Sequence, residues 1–330
     1  MARPDTSKGL VRKALSGDRI SSMPFMPWVC IHAAKLEQIP TSHLLNDPSL
    51  LARALENAQK LYGYDMVVNI FDTTIEAEAC GCPVRWRSDQ ELPTLESHQP
   101  IDHLSESDIS SVTNRGRLPV VIEATKRLCI TLGRTVAIAG VVTGPFTLAT
   151  HLKGQNIADA LGENPEEAQN IIELAGKICL EVCRSYCELE VDVIVLTESV
   201  MPHLPESSIP LAFSVLGPLY NVIRFYNGLS LLLARGCSSE SIGLLGAMEA
   251  DGMAVDGKIE GELKQRASHC IVGQTIPTPV LAGQMEQLTA YMHDHLKGSG
   301  GPVFLATEWQ VPYETPPENM HQIVRYVRGA

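Results

Sequence analysis

The stretch VAIAGVVTGPFTLATHLKG, residues 136–154, contains a buried strand, a sharp turn and the start of a helix. The apolar and glycine positions at 136–142 predict the strand. Thr143, Gly144 and Pro145 then interrupt the run, and a proline suits the first turn of the helix that follows. Gly144 would let the backbone approach a ligand closely, although a tight strand-to-helix turn without a ligand explains it equally well. The stretch is therefore one strand-to-helix unit.

Seven other apolar runs repeat this unit along the chain. The eight runs lie at 25–32, 66–72, 136–142, 192–198, 221–227, 252–256, 270–274 and 303–308. Amphipathic stretches such as PSLLARALENAQKLYG, residues 48–63, lie between them. The near-continuous apolar character of the runs is typical of parallel strands that helices cover on the outside. Eight such strands predict a (β/α)₈ TIM barrel, which we expect to form a single domain over residues 1–330.

The composition excludes several classes of function. The chain has 330 residues and a formal net charge of -12, so it lacks the excess of lysine and arginine that holds a nucleic-acid backbone. No apolar run reaches the roughly 20 residues of a membrane span, and the first residues contain no apolar signal segment. Nine cysteines, an odd number scattered over a long chain, are typical of reduced thiols. We therefore expect a cytoplasmic protein.

Polar side chains end nearly every predicted strand. Because active sites of this fold lie at the carboxyl ends of the strands, these side chains should line one mouth, rich in carboxylates and amides and poor in lysine and arginine. The catalytic candidates are Asp72, Glu198 and Glu308, and the substrate-binding candidates are His32, Asn69, Thr143, Asn227, Asp256, Gln274 and Trp309. Any strand can end on a polar residue, so the whole ring is more informative than its members.

Cysteines and a histidine outside this ring have structural interpretations. Cys179, Cys183 and Cys187 recur every four residues, which predicts a buried stripe on one helix. His151 follows the Thr-Gly-Pro turn and would face a ligand or, more simply, the solvated surface of its helix.

Three segments together carry a resemblance to a known family. TGPFTLATHLKG (143–154), FDTTIEAEACG (71–81) and TPPENMHQIVRYVR (315–328) resemble the uroporphyrinogen decarboxylase superfamily. The phrase IEAEACGC and the overall spacing are most similar to its methylcobamide:coenzyme M methyltransferase branch. The resemblance extends from about residue 10 to the end of the chain. It implies a (β/α)₈ barrel with an N-terminal helical extension, here residues 1–22.

Two departures from the family bear on the reaction. The decarboxylases carry an arginine-rich segment that grips the carboxylates of the tetrapyrrole, whereas PWVCIHAAKLEQIP (27–40) has no arginine. Asp72 does fall where the decarboxylases have their catalytic aspartate. In the coenzyme M branch, a His-x-Cys pair that ends the fifth strand and a cysteine that ends the eighth hold a zinc ion. Here those strands are expected to end FYNG (225–228) and TEWQ (307–310), and Cys237 and Cys270 are expected on the wrong face, so no zinc is predicted.

The residues that replace the zinc ligands favour an organic partner. Trp309 can stack on a ring or a cation, and Glu308 and Asn227 can pair with ring N–H groups, although Trp309 would also serve as a plug of the barrel mouth. We therefore predict a methyltransferase that uses cobalamin, a corrinoid, on a small partner protein, because no Asp-x-His-x-x-Gly pattern occurs here. The expected second reactant is not a thiol, and tetrahydrofolate is the leading candidate.

Three alternatives remain open at this stage. One is methyl transfer from a small methylated substrate to the corrinoid. Another is a decarboxylase that uses Asp72. The third is a non-catalytic protein that only binds a corrinoid protein.

Overall fold

A computed structural model describes residues 5–98, 104–237, 241–256, 265, 268–296 and 302–329. In this part of the chain the strands are β1 (Phe25–Met26), β2 (Met66–Val68), β3 (Val84–Arg85), β4 (Thr94–Leu95), β5 (Ala137–Thr143), β6 (Val193–Glu198), β7 (Leu229–Ala234), β8 (Gly252–Val255), β9 (Ile271–Ile276) and β10 (Leu305–Thr307). The helices are α1 (Ser7–Leu15), α2 (Cys30–Glu37), α3 (Thr41–Leu44), α4 (Pro48–Tyr62), α5 (Ile75–Ala79), α6 (Glu106–Ser110), α7 (Leu118–Thr131), α8 (Pro145–Lys153), α9 (Ile157–Glu163), α10 (Pro165–Cys187), α11 (Ile209–Phe225), α12 (Ile242–Ala247), α13 (Thr278–Ala282), α14 (Met285–Leu296) and α15 (Pro317–Val327).

Eight of these strands form one parallel sheet in the order β1-β10-β9-β8-β7-β6-β5-β2. The two end strands are joined through Asp65, whose N–H donates to the Phe25 carbonyl over 2.9 Å. The Asp65 carboxylate in turn accepts the Phe25 N–H over 3.0 Å. The sheet is thereby drawn into a nearly closed ring with its helices outside, which confirms the predicted (β/α)₈ barrel.

Alternate residues along the strands divide the core into two layers. Inward-facing side chains such as Val141, Val195 and Leu233 form one buried cluster inside the barrel. Outward-facing side chains such as Val142, Leu196 and Leu232 pack instead against the helices. This alternation follows from the two-residue period of a strand, and it decides which side chain at each strand end can reach the mouth.

The predicted strand at 221–227 is wrong. These residues are the last turns of α11 and the loop after it, and the fifth barrel strand is β7. The segment is rich in β-branched and aromatic residues, which favours a strand locally. It nevertheless continues a helical period, because Leu216, Leu219, Tyr220 and Ile223 are buried at spacings of three and four residues. Tertiary burial of that stripe outweighs local propensity.

The first two predicted strands are shorter than expected. At 25–32 only Phe25–Met26 is a strand, and helix α2 begins at Cys30. At 66–72 the strand ends at Val68, so Asn69 to Asp72 form the loop that leads to α5. The early part of the mouth is therefore built from loops, which affects where His32 and Asn69 lie.

The N-terminal helix α1 closes the amino end of the barrel. Its Val11 and Leu15 belong to the interior cluster. Two of its cations bind one buried aspartate: Lys8 Nζ lies 3.0 Å and Arg12 Nη1 lies 3.4 Å from Asp192 Oδ1. With this end closed, ligands reach the described barrel interior from the opposite mouth.

Within the described residues, one helical stretch is long and apolar enough to cross a membrane, Glu206–Phe225. It includes all of α11, whose apolar stripe packs on the barrel core. Buried core helices commonly have this composition, so the stretch is weak evidence for a span.

Candidate active site

A cavity of about 580 Å³ lies at the carboxyl ends of the strands. Its floor includes Asp72, Thr73 and Trp309 from strand-end loops. Its walls come from Ile31, His151, Thr278 and the segment from Gln310 to Glu314, and residues 90–95 of the β3–β4 hairpin cover one side. The lining thus combines apolar and aromatic surfaces with a few polar groups, as is usual for small-molecule sites.

The β3–β4 hairpin is fixed to the barrel at two points. The N–H and hydroxyl of Thr41 donate to the Asp89 carbonyl over 2.9 and 2.8 Å. On the other side, the Trp86 ring lies 5.3 Å from the guanidinium carbon of Arg117. The hairpin therefore forms a fixed wall of the cavity.

Asp72 is buried beside an arginine that the sequence did not predict. Its Oδ2 lies 2.8 Å from Nη1 of Arg117, and both side chains are almost fully buried. Its Oδ1 accepts the N–H and hydroxyl of Thr74 over 2.9 and 2.7 Å. Arg117 also donates to Glu78 over 2.6 Å. Burial disfavours the charge of Arg117, but Asp72 and Glu78 outweigh this and raise its pKa. Asp72 is thus both a loop cap and half of a buried ion pair.

Two other buried carboxylates hold the turn between β5 and α8. Glu76 accepts the N–H of Thr143 over 2.9 Å and its hydroxyl over 2.5 Å. Glu198 accepts the N–H of Phe146 over 3.0 Å, and Thr147 donates to it through its N–H and hydroxyl. Burial raises the pKa of both carboxyls to about 7, against the effect of these hydrogen bonds.

Gly144 is required by Glu198. A Cβ at Gly144 would lie 2.2 Å from Glu198 Oε1, closer than any real Cβ contact. Its φ of -65° is one that any residue adopts, so the need is steric rather than conformational. In this structure the glycine of the Thr-Gly-Pro turn makes room for a side chain of the protein itself.

The corner between β7 and β10 consists of Arg235, Trp309 and Glu308. The guanidinium carbon of Arg235 lies 4.4 Å from the centre of the Trp309 ring. Arg235 Nε is 4.0 Å from Glu308 Oε1, while Glu308 Oε2 accepts the Thr278 N–H over 3.1 Å. The edge of Trp309 meets Phe71 with ring centres 4.6 Å apart. The mouth is therefore less poor in arginine than the sequence suggested.

This corner offers poor ligands for a metal ion. A guanidinium is a cation without a lone pair to donate. Cys237 lies after β7 and hence at the mouth end, which corrects its expected position, but its thiol donates to the Ala234 carbonyl over 3.1 Å. Cys270 precedes β9, at the amino end as expected. In the part of the chain that the structure describes, no three His, Cys, Asp or Glu side chains are grouped to hold a metal. The residues present do not fit a zinc site.

Three predicted binding residues do not line the mouth cavity. Asn227 precedes β7, so it is at the amino end of the barrel, where its carbonyl accepts Arg12 Nη2 over 3.0 Å. Gln274 lies within β9 and donates to the hydroxyl of Tyr291 over 2.9 Å. His32 lies in α2, and its Nε2 is 2.7 Å from the Tyr62 hydroxyl. These placements correct the expectations, which rested on strand boundaries that were wrong or set too early.

Two other predicted residues use their side-chain oxygens to join segments of the backbone. The side-chain Oδ1 of Asn69 accepts the N–H groups of Ile70 and Val141 over 2.7 and 3.1 Å, which ties β2 to β5. The Asp256 carboxylate accepts the N–H groups of Gly236 and Cys237 over 2.8 and 3.0 Å, which holds the turn after β7. Neither side chain lines the cavity.

His151 and Gln310 are cavity residues that sequence reasoning did not select. The Nε2 of His151 is buried without a partner among the described residues, and burial lowers the pKa of this imidazole. Gln310 is 5% exposed, and its Oε1 likewise has no described partner. A signal for His151 was present, because it follows Thr147 by four residues and shares its helix face. Arg235 was missed together with strand β7.

Comparisons with known proteins agree with this architecture. The uroporphyrinogen decarboxylase (URO-D) family model matches residues 6–330. The chain is 27% identical over 176 residues to methylcobamide:CoM methyltransferase MtbA of Methanosarcina acetivorans, which covers 51% of this chain and 50% of that protein. It is 23% identical over 296 residues to methylcobamide:CoM methyltransferase MtaA of Methanosarcina barkeri, with 86% and 85% covered. The match thus spans about half of the first relative and most of the second.

Solved structures show the same fold. A methyltransferase from Methanosarcina mazei superposes with a TM-score of 0.82 at 21% identity, covering 99% of this chain and 100% of that chain. A B12-independent methionine synthase from Shewanella sp. W3-18-1 superposes with a TM-score of 0.54 at 12% identity, covering 85% and 86%. The family match extends over nearly the whole chain, and this chain therefore belongs to the uroporphyrinogen decarboxylase (URO-D) family.

Proposed function

We propose that this chain is a corrinoid-dependent methyltransferase. It would move a methyl group between a small organic ligand in the mouth cavity and a corrinoid carried by a partner protein. The support is that relatives named methylcobamide:CoM methyltransferases match this chain, one of them over most of its length. The cavity lies at the strand ends where barrels of this fold hold their reactants.

The corner of Arg235, Trp309 and Glu308 is the observation that carries the choice of ligand. A thiol reacts as its thiolate, a form that coordination to a metal ion favours most strongly. Here the donor set does not suit zinc, and burial raises the pKa of the one thiol at this corner, Cys237. We infer that the ligand is not a thiol and that the reaction does not use zinc.

Between tetrahydrofolate and a small methylated compound, the geometry favours the second. The carboxylates and amides expected to hold a pterin ring are not assembled around the cavity. Asn227 is at the other end of the barrel. The side chains of Asn69, Asp256 and Glu198 accept backbone N–H groups of the protein itself. What remains is a cavity in which apolar and aromatic side chains such as Ile31, Trp309 and Tyr313 alternate with polar ones, with Arg235 beside its floor.

The chemistry required of this chain is positioning and control of one proton. The bond between the methyl group and the ligand's nitrogen or oxygen would break with its electron pair staying on the ligand, and the electron pair that accepts the methyl group would come from a bound, reduced corrinoid. Trp309 and Tyr313 would hold the ligand body. His151, whose Nε2 has no described partner, is placed to exchange a proton with the departing atom.

A spectroscopic assay tests the proposal. Reduced cobalamin should gain the ultraviolet–visible spectrum of methylcobalamin only when the purified protein and a methylated ligand are both present. His151→Gln should slow this conversion by roughly 10²-fold, the usual scale for a positioned acid or base, with ligand affinity little changed. The proposal is wrong if no methylated nitrogen or oxygen compound supports the conversion while methyl-coenzyme M does. Release of carbon dioxide from a porphyrinogen would instead support a decarboxylase that uses Asp72.

A further inference from the structure

A small recess opens beside the floor of the mouth cavity. It is lined by Thr73, Thr147, Thr197, Ser199, Arg235 and Trp309, together with Glu198 and Leu233. Thr73 and Trp309 also line the cavity itself, so the two spaces adjoin. At about 10 Å³, the recess accepts one water-sized polar group and not a whole ligand. We call it the Arg235 recess.

Two hydrogen-bond donors in the recess have no acceptor among the described residues. Thr197 is 3% exposed, and its hydroxyl is buried without a partner. The guanidinium of Arg235 makes no described hydrogen bond, and its nearest described acid is the Glu308 carboxylate at 4.0 Å. A buried unpaired hydroxyl costs free energy unless a ligand or water satisfies it. The recess is thus prepared for an acceptor.

The carboxylates around the recess accept hydrogen bonds from other parts of the protein. Glu198 lines the recess, but Phe146 and Thr147 already supply three donors to its two oxygens. One oxygen of Glu308 accepts the Thr278 N–H. Arg235 is the one lysine or arginine that lines either space in the described residues. Its side chain is 42% exposed, and its Nε lies 4.0 Å from the second oxygen of Glu308, beyond hydrogen-bond distance. An anionic acceptor suits this charge and geometry better than a neutral one.

We propose that the Arg235 recess binds one oxygen of a ligand carboxylate, so that the substrates are methylated compounds with one carboxylate. This rests on the proposed function and specifies its substrate class. The carboxylate would accept from Arg235 and from the Thr197 hydroxyl, while the body of the molecule lies along Trp309 in the cavity. Matching N-methylated substrates are betaines, and matching O-methylated ones are methoxybenzoates.

Two matched pairs of probes test the charge requirement by titration calorimetry of the full chain. 3-Methoxybenzoate is compared with 3-methoxybenzyl alcohol, and glycine betaine with choline. In at least one pair the carboxylate should bind about tenfold or more tightly, as expected for a charge-assisted contact. Arg235→Gln should remove that preference, and Arg235→Lys should keep part of it because the charge remains.

Thr197→Val supplies a variant that should fold normally, since it replaces an unpaired hydroxyl by a methyl group of similar shape. It should weaken carboxylate binding several-fold and leave the alcohol unaffected. Absence of a carboxylate preference in both pairs, or no carboxylate binding at millimolar concentration, would each overturn the proposal. Arg235-dependent carboxylate binding without methyl transfer to cobalamin would leave this proposal standing and contradict the proposed function alone.

Discussion

Asp72 shows how one residue can lie in a cavity and still serve the fold. Its carboxylate joins the Thr74 loop cap to the buried guanidinium of Arg117, whose other side holds Glu78 and Trp86. Removing one partner of a buried pair leaves the other charge without compensation. The strand-end position of Asp72 suggested a catalytic group, but its contacts make a structural contribution certain whatever its catalytic role.

Asp72→Asn should lower the free energy of unfolding by about 3 kcal/mol, the lower end of the range for a broken buried pair, because Glu78 still neutralises Arg117. Urea unfolding measures the change. Glu78→Gln is the matched control and should cost less, since the Glu78 side chain is 19% exposed. Equal losses for the two variants would contradict a special role for the Asp72 contact.

Glu76 predicts a pH effect of definite sign. Its pKa is raised from 4.5 to about 7, so the folded state binds more protons than the unfolded chain between these pH values. The stabilisation that this gives is fully present below pH 4.5 and is lost as the pH rises through 7. Glu76→Gln cannot ionise, so its melting temperature relative to wild type should rise by a few degrees from pH 5.5 to 8.5.

Differential scanning calorimetry across this pH range provides the measurement. Glu173→Gln, which changes an exposed carboxylate on α10, should show no such trend. A Glu76→Gln difference that stays constant with pH would mean that Glu76 remains ionised in the folded protein throughout.

The residues at the mouth were only partly accessible from sequence. The ends of apolar runs predicted that Asp72, Glu198 and Trp309 lie at one end of the barrel, because parallel strands bring their carboxyl ends together. Their partners were not predictable, since Arg117 and Trp86 come from segments distant along the chain. Spatial neighbours of this kind leave no periodic signal in a single sequence.

At the scale of elements, the joint between β5 and α8 is the most constrained. Gly144 gives the Glu198 carboxylate room to reach the first N–H groups of α8, where a negative charge is favourable. The sequence TGP predicted the joint correctly, since glycine and proline mark a sharp change of direction. The motif alone did not show that this space is filled by the carboxylate at the end of the neighbouring strand, β6.

Gly144→Ala should therefore destabilise the protein by about 1–3 kcal/mol, the usual cost of overpacking. Glu198→Ala removes the group that the new methyl would meet, at the expense of the helix-capping hydrogen bonds. In the double variant the two losses should not add, because the clash is gone. Chemical unfolding of all four proteins completes the cycle, and simple additivity would show that Glu198 does not restrict position 144.

The assignment of the fifth strand illustrates the limit of local patterns. NVIRFYN has the better strand composition, whereas LSLLLA, residues 229–234, could belong to a helix by composition alone. The deciding signal was the Asn227-Gly228 pair before LSLLLA and Gly236 after it, which bound an element of strand length. Because the fifth strand was assigned to residues 221–227, β7 was missed, and with it Arg235, the residue on which the substrate proposal depends.

For the whole molecule, aspartates at the amino ends of strands join neighbouring elements. Asp65, Asp192 and Asp251 each precede a strand by one residue and accept an N–H from the neighbouring strand, at Phe25, Ile138 and Ser230. Asp65 and Asp192 also bind groups from α1. The same device is thus repeated three times around the end of the barrel opposite the mouth.

Replacing both Lys8 and Arg12 by alanine should cost about 2 kcal/mol of unfolding free energy, because the buried Asp192 carboxylate loses both cations. Replacing Arg53 and Lys60, whose ion pairs are exposed, should change stability by less than about 1 kcal/mol. Guanidinium unfolding distinguishes the pairs, and similar losses in both would show that α1 is held by its apolar face alone.

Asp65 brings the two outer segments of the described chain together. Ser7 Oγ donates to its Oδ1 over 2.7 Å, and Arg328 donates to the same oxygen over 2.9 Å. Residues 7 and 328 therefore share one atom of the barrel base, on the side away from the cavity. We expect that coupling the protein to a solid support near either residue would leave the mouth unobstructed, so that an immobilised molecule could still meet the proposed corrinoid-bearing partner in solution.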